Sequence, residues 1–427
     1  MIQSRLAILA LLTALNLINY LDRYLVVGVG TGLQKGLGPH GINDSEFGAV
    51  TTAFMWGYFI TSPLFGWLGD RYPRKWLIAG GVAVWSIATA ASGLAASYGA
   101  MLVARMIVGV GEASYATLSP TIIDDIASKS KKNRWLAIFY VAIPVGSALG
   151  FLVGGQLEKY FGWRSAFFLA GGPGILLAIL VLLIHEPDRA ELEKKEGEPA
   201  APRRAAYLEL VRLSRYVYTV LGYVAQTFAL GGFASFAVHF LERKHAFRSD
   251  TATLAFGAIL VVTGIGGTAF GGWLADRIPG EDRTRINLRI CAWSSLLAAP
   301  LALLALLMPS AVGFLVALGV AQLAIFASTS PTNAAVLFSV PPGLRANAMA
   351  LSIFAIHLLG DIVSPPLIGH ISDAYDGTSA GLQIAMYLLP AALVLSAIAW
   401  FFGAAAKDDT RDATRDAARE VTPPGTA

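Results

Sequence analysis

The chain has 427 residues, 55% hydrophobic and only 14% charged, with mean hydropathy +0.60 and a formal net charge of +4. A soluble domain carries roughly 25% charged residues, so this composition excludes a disordered, collagen-like or disulfide-stapled protein and argues against a soluble enzyme. Cys291 is the single cysteine, which rules out an intrachain disulfide and a cysteine metal cluster. A helix crossing a bilayer needs about 20 consecutive apolar residues. In chain order, segments of that kind are 6–33, 47–69, 76–104, 101–126, 135–157, 165–185, 216–241, 251–275, 290–308, 309–344, 345–373 and 377–406. Only the first, fourth and eleventh are interrupted by charge, so twelve spans are expected. The first begins five residues in, without a small-residue cleavage site, and is read as retained.

Lysine and arginine should concentrate in cytoplasmic loops. With both termini cytoplasmic, 24 of the 32 basic residues fall on that side and six on the other, while Arg23 and Arg105 lie within spans. The basic balance is therefore topology, and no nucleic-acid partner is expected. A polar stretch rich in Glu, Lys, Pro and Ala separates six spans from six. The expected organisation is a six-helix bundle over 1–187, a cytoplasmic linker over 188–213, a second bundle over 214–406 and a disordered charged tail over 407–427.

The halves repeat. Gly66-Trp67-Leu68-Gly69-Asp70-Arg71 after span 2 returns as Gly272-Trp273-Leu274-Ala275-Asp276-Arg277 after span 8. Continued by Tyr72-Pro73-Arg74-Lys75, the motif resembles the cytoplasmic loop signature of the major facilitator superfamily. The resemblance implies an all-helical fold of two six-helix bundles that rock about a central site. It also implies a cytoplasmic latch formed by Gly66, Asp70, Arg71, Arg74, Lys75, Gly272, Asp276 and Arg277. Lys75 has no counterpart in the second copy, so that latch is expected to be built differently. Gly146, Gly150 and Gly154 on span 5, and Gly267 and Gly271 on span 8, recur every four residues and offer faces for close helix approach. Gly28, Gly30 and Gly32, and likewise Gly109 and Gly111, neither follow a strand nor open a soluble helix, so no nucleotide loop is read there.

Nine spans carry no formal charge, which makes the exceptions informative, because an ionisable group in hydrocarbon is costly and usually faces a cavity. Span 1 holds Asp22 and Arg23, span 4 holds Arg105 and Glu112, and span 11 holds His357 and Asp361 one turn apart. Counting helical rise puts Asp22 and Arg105 at similar depth, so Arg105 is expected to reach Asp22, with Glu112 on the same face about 10 Å deeper. An anionic headgroup drawn to a guanidinium would leave a carboxylate without its partner, and a proton would then remove the unpaired charge. The alternative is a permanent set of ion pairs that fixes helix packing. The second half offers uncharged polarity at Gln226, Thr227, His239, Gln322, Ser328, Thr329, Ser330, Thr332 and Asn333, most of it expected to serve interhelical hydrogen bonds. One ionic wall and one neutral wall suit an amphiphile.

The run Asn16-Leu17-Ile18-Asn19-Tyr20-Leu21-Asp22-Arg23, the segment Gly109-Val110-Gly111-Glu112-Ala113-Ser114-Tyr115 with Ser119-Pro120, and Gly360-Asp361, Ser364-Pro365 and Ile371-Ser372-Asp373 resemble the Spinster family. The resemblance implies a secondary transporter of lysophospholipids or phosphorylated sphingoid bases, with Asp22, Arg23, Arg105 and Glu112 in substrate binding and proton coupling. Asn16, Asn19, Tyr20, Tyr115, Thr329, Asn333, His357 and Asp361 are cavity candidates. The short loops look bacterial, so an inner-membrane location is expected, and the chain is separately expected to be a monomer. A carrier of small organic anions or a drug exporter is the alternative. No cofactor or metal is expected, since the six histidines are scattered and no P-loop or Ser-His-Asp grouping is present.

Overall fold

In a computed structural model, residues 2–128, 132–186, 204–341 and 344–407 are described; the expected tail beyond 407 and most of the expected linker lie outside them. Helix α1 (Arg5–Gly28) opens with Ser4 accepting from the Ala7 N–H, breaks at Val29 and resumes as the short α2 (Gly30–Gly36). A capping box of Asn43 and Glu46 starts α3 (Asp44–Gly69), which is followed by α4 (Arg74–Ser92) and α5 (Tyr98–Ile126). The long α6 (Lys132–Leu182) is interrupted at Gly162, whose φ of 79° breaks it into two spans. After the short α7 (Arg204–Leu210) come α8 (Ser214–His245), α9 (Ser249–Arg277) and α10 (Arg283–Leu307).

Span 10 is split at Ser328 into α11 (Ala311–Ala327) and α12 (Thr329–Phe338). Span 11 is α13 (Arg345–Ile356), a π-helical turn at His357–Asp361 and α14 (Ser364–Asp373), and span 12 is α15 (Ser379–Met386) with α16 (Leu388–Ala405). Nine helical stretches among the described residues are long and apolar enough to cross a membrane. One of these contains the break at Gly162, and α3 and α4 complete the twelve expected spans. Side chains such as Ile60, Ile87, Val262, Val312 and Leu395 are exposed although strongly apolar, as surfaces facing lipid require.

The chain forms two compact units. The first takes the described residues up to 186 together with 232–261 and 365–385, so it adds the last turns of α8, the start of α9 and most of α14 to the first six spans. Its core joins Leu12 and Leu15 of α1, Ile78 and Trp85 of α4, Ile122 of α5 and Val181 of α6. Here α1 and α6 approach backbone to backbone. A Cβ on Gly146 would stand 2.5 Å from the Leu17 carbonyl and one on Gly150 2.6 Å from that of Leu21, while Gly154 lies against Gly28. The glycine run of span 5 is a packing face, as its spacing predicts. In the second unit Leu288, Cys291 and Trp400 belong to one core, and Gly267 and Gly271 admit the α11 carbonyls of Leu323 and Ala327.

Candidate functional site

Asp22 is fully buried on α1, and its Oδ2 accepts from the Trp85 indole N–H at 2.9 Å and from the Thr89 hydroxyl at 3.0 Å. Trp85 and Thr89 stand one turn apart on α4 and so point to the same side. Its second oxygen, Oδ1, is buried without a hydrogen bond. Arg105, expected to reach Asp22, acts on it through its charge without a hydrogen bond, and α4 supplies the donors. Sequence reasoning missed Trp85 and Thr89, since neither residue type is unusual within a span.

Arg23 supplies the ion pair of the site. Its Nη2 donates to Glu112 Oε2 at 2.7 Å, and the Glu112 side chain is wholly buried. The Arg23 guanidinium lies 4.5 Å from the centre of the Phe54 ring and 4.7 Å from that of Tyr20. Arg105 stands 5.6 Å from the same Phe54 ring, so one aromatic side chain of α3 serves two cations. Arg105 is 0% exposed, and Nε, Nη1 and Nη2 all lack a hydrogen-bond acceptor.

The other candidates in the first unit divide by their bonding. The Asn16 amide donates to the Phe139 carbonyl at 2.9 Å and the Tyr115 hydroxyl to that of Leu12 at 2.8 Å, so both brace helices. Asn19 is buried with its amide nitrogen unpaired. In the second unit Asn333 donates to the Thr329 carbonyl and bonds to Tyr223, and His357 Nδ1 lies 2.9 Å from Asp361 Oδ2 across the π-helical turn. Gln226 donates to the Ile325 carbonyl at 3.0 Å and to Ser328, the interhelical bonding expected of these polar residues.

Residues 12–365 match the Major Facilitator Superfamily. Protein spinster homolog 1 of Mus musculus is 34% identical over 387 residues, covering 86% of this chain and 72% of that protein. The chain belongs to the Spinster family of the major facilitator superfamily. The probable sphingolipid transporter spinster homolog 1 of Arabidopsis thaliana is 31% identical over 446 residues, with 92% and 87% covered. A bacterial homolog to the human lysosomal transporter Spinster, crystallised inward-facing and unoccupied, has the same fold at a TM-score of 0.82 and 24% identity, covering 96% of this chain and 98% of that one. A D-xylose-proton symporter shares the fold at a TM-score of 0.70 and 18% identity, with 93% and 97% covered. This is a Spinster-type membrane transporter, and the relatives are named as transporters, not enzymes.

In this Spinster chain the repeated loop carries two different constructions. Arg71 stacks over Trp67 at 4.0 Å and Arg277 over Trp273 at 4.8 Å, so the duplication extends to a cation–π pair. Gly66 has open space around it, Gly272 approaches Ser330, and Asp276 is 91% exposed. Arg74 departs from the expected latch. It is 1% exposed and spends its donors inside the first unit, on Glu186 at 2.7 Å, Thr121 at 2.9 Å and Asp125 at 2.5 Å. Lys75 follows it, donating to the Ile184 carbonyl at 3.2 Å. In the second unit Arg215 grips Asp282 through two bonds, at 3.0 and 2.8 Å.

A second polar cluster, at the end of the first unit where α3 begins, was not singled out from sequence. Both Arg243 terminal nitrogens donate to Asp44 at 2.6 Å, and Ser372 and Gln34 donate to the same carboxylate. The Asp44 and Ser45 backbone N–H groups in turn donate to Asp373 at 3.0 and 2.8 Å, as a helix N-terminus favours. Burial alone would push the Asp44 carboxyl up, but the Arg243, Ser372 and Gln34 bonds outweigh it and hold the group below its ordinary value.

Proposed function

We propose that this transporter moves an amphiphilic anion or zwitterion, of lysophospholipid or phosphorylated sphingoid-base type, by proton-coupled alternating access. The reading includes a multi-pass monomer in a bacterial inner membrane, both termini cytoplasmic, with the repeat halves 1–187 and 214–406 as the rocking bodies. The observation that carries it is Arg105, a wholly buried guanidinium whose nitrogens have no protein acceptor. A buried, unpaired cation costs several kcal/mol. A phosphate answers it in bidentate fashion. Phe54 beside it supplies an apolar surface for the first carbons of a chain. The name of the Arabidopsis relative, a probable sphingolipid transporter, supports the substrate class.

Coupling follows from charge balance. Asp22 feels the Arg105 charge without being bonded to it, so an anion that engages Arg105 removes part of the positive field at Asp22. A proton on Asp22 then restores neutrality. Glu112 is tied to Arg23 and also acts on Arg105 through its charge, which makes it the second carboxylate of the coupling.

The test is uptake of a labelled lysophospholipid into proteoliposomes by wild type, Arg105→Lys and Arg105→Ala, with and without an imposed pH gradient. Gradient-driven uptake by wild type is expected to fall more than about tenfold in both variants, because lysine keeps the charge but not the planar fork. No uptake by folded wild type, with uptake of small organic anions instead, would overturn the lipid reading in favour of an anion carrier.

A further inference from the structure

The break between α1 and α2 exposes a second group of ionisable side chains, separate from Asp22 and Glu112. Gly32 has no side chain, which lets α6 bring Glu158 against it: a Cβ there would stand 2.7 Å from Glu158 Oε1. On the adjacent residue, the Thr31 hydroxyl donates to Glu242 Oε2 of α8. The remaining oxygens, Glu158 Oε2 and Glu242 Oε1, are buried and without hydrogen-bond partners. Two carboxylates from helices far apart in sequence are thus gathered at one turn of α2, where the Glu242 charge acts on Glu158.

His239, one turn before Glu242, is the independent sign of a ligand. It is 1% exposed, its ring fits over Gly30 and beside Phe47, and neither ring nitrogen makes a hydrogen bond of good geometry. The ring lines a polar cavity of about 1050 Å³ together with Thr31, Lys35, Asp44, Glu242 and Arg243. Glu242, Arg243 and Asp44 act on it electrostatically, and the Ser235 backbone one turn earlier is a hydrogen-bond partner for one ring nitrogen at relaxed geometry, which leaves the other for the cavity.

The surrounding cations are largely engaged elsewhere. Arg243 is committed to Asp44, and Lys159, next to Glu158, is bonded to Asp250 of α9 at 2.7 Å, with Arg248 3.3 Å from the same carboxylate. Asp373 of α14 adds a further negative charge to the cavity wall, and Lys35 is the cation that acts on Glu158. Among the described residues no three His, Cys, Asp or Glu side chains are arranged to hold a metal ion.

We propose that Glu158 and Glu242 form a second proton-binding site, holding one proton between them, with His239 exchanging that proton with the cavity. One H⁺ from cavity water passes to His239 and on to a carboxylate, so the pair carries one negative charge instead of two. The reverse order returns it. The bound proton gives one unpartnered oxygen a hydrogen and removes the repulsion of two ionised carboxylates. The proposal does not rest on the transport reading, because the proton is a property of the resting protein.

The test is an infrared titration of the purified protein in lipid nanodiscs between about pH 5 and pH 8, following the carboxylic C=O stretch. Asp22→Asn/Glu112→Gln is expected to keep a titrating band. That band is expected to vanish in Glu158→Gln and in Glu242→Gln, to change frequency in Glu242→Asp, and to persist with slowed hydrogen–deuterium exchange in His239→Gln. Were the band untouched by every Glu158 and Glu242 substitution, or missing from Asp22→Asn/Glu112→Gln, the site would be disproved. Should a glutamine variant fail to fold, the Glu242→Asp frequency decides alone.

Discussion

Asp22 is a carboxylate held through one oxygen only. Trp85 and Thr89 fix Oδ2 from α4, while Oδ1 is left without a hydrogen bond. If the proton taken by Asp22 links transport to the pH gradient, Asp22→Asn should fold and exchange substrate across the membrane. It should lose gradient-driven accumulation by about tenfold or more, within the range of ordinary coupling free energies. Counterflow and gradient-driven uptake measured on the same proteoliposomes separate the two, and accumulation equal to wild type would remove Asp22 from the coupling. Charge within spans marked Asp22, Arg23, Arg105 and Glu112 in the sequence because such groups are rare there. Their pairing was not legible. Counting rise gives depth along a helix but not the direction a side chain takes around it, and it put Arg105 on Asp22 where the structure puts Trp85 and Thr89. The ion pair instead joins Arg23 to Glu112, two residues that the same count did not match.

At the scale of elements, the glycines of α6 decide how closely α1 can approach. A Cβ on Gly150 would stand 2.6 Å from the Leu21 carbonyl and 2.8 Å from the Tyr24 Cβ, and neither backbone atoms nor a Cβ can swing aside. Overpacking of this kind costs about 1–3 kcal/mol, so Gly150→Val should lower the midpoint of thermal unfolding by several degrees. Gly172, farther along α6, is exposed with nothing within 4 Å, and Gly172→Val is the matched control for the intrinsic preference of valine. Equal losses in the two variants would show that helix propensity, not close approach, sets the effect. The spacing of these glycines was legible because small residues four apart form one helical face. The inward turn of Arg74 was not, because a basic residue in a loop reads as topology whether it faces solvent or, as here, Thr121, Asp125 and Glu186.

At the scale of the molecule, nine spans were readable from uncharged length and three more from apolar runs interrupted by charge, whereas the breaks at Ser328 and at the His357–Asp361 turn were not, since hydropathy does not register a local change of helix type. The cluster that ties the start of α3 to the ends of α8 and α14 was equally hidden. Asp44, Arg243 and Asp373 lie at span edges, where charge is ordinary, and 199 and 329 residues separate Asp44 from its partners. Its pH behaviour follows from the sign of one shift. Asp44 is held below its ordinary value in the folded protein, so its contribution to stability is complete above the unfolded carboxyl value near 3.9 and fades as pH falls through the folded one. The difference in thermal midpoint between wild type and Asp44→Asn should therefore stay constant from about pH 5 to pH 8 and shrink below about pH 4. A wild-type to Asp44→Asn difference that did not shrink below about pH 4 would mean that the Arg243 bonds do not hold Asp44 below its ordinary value as the structure indicates.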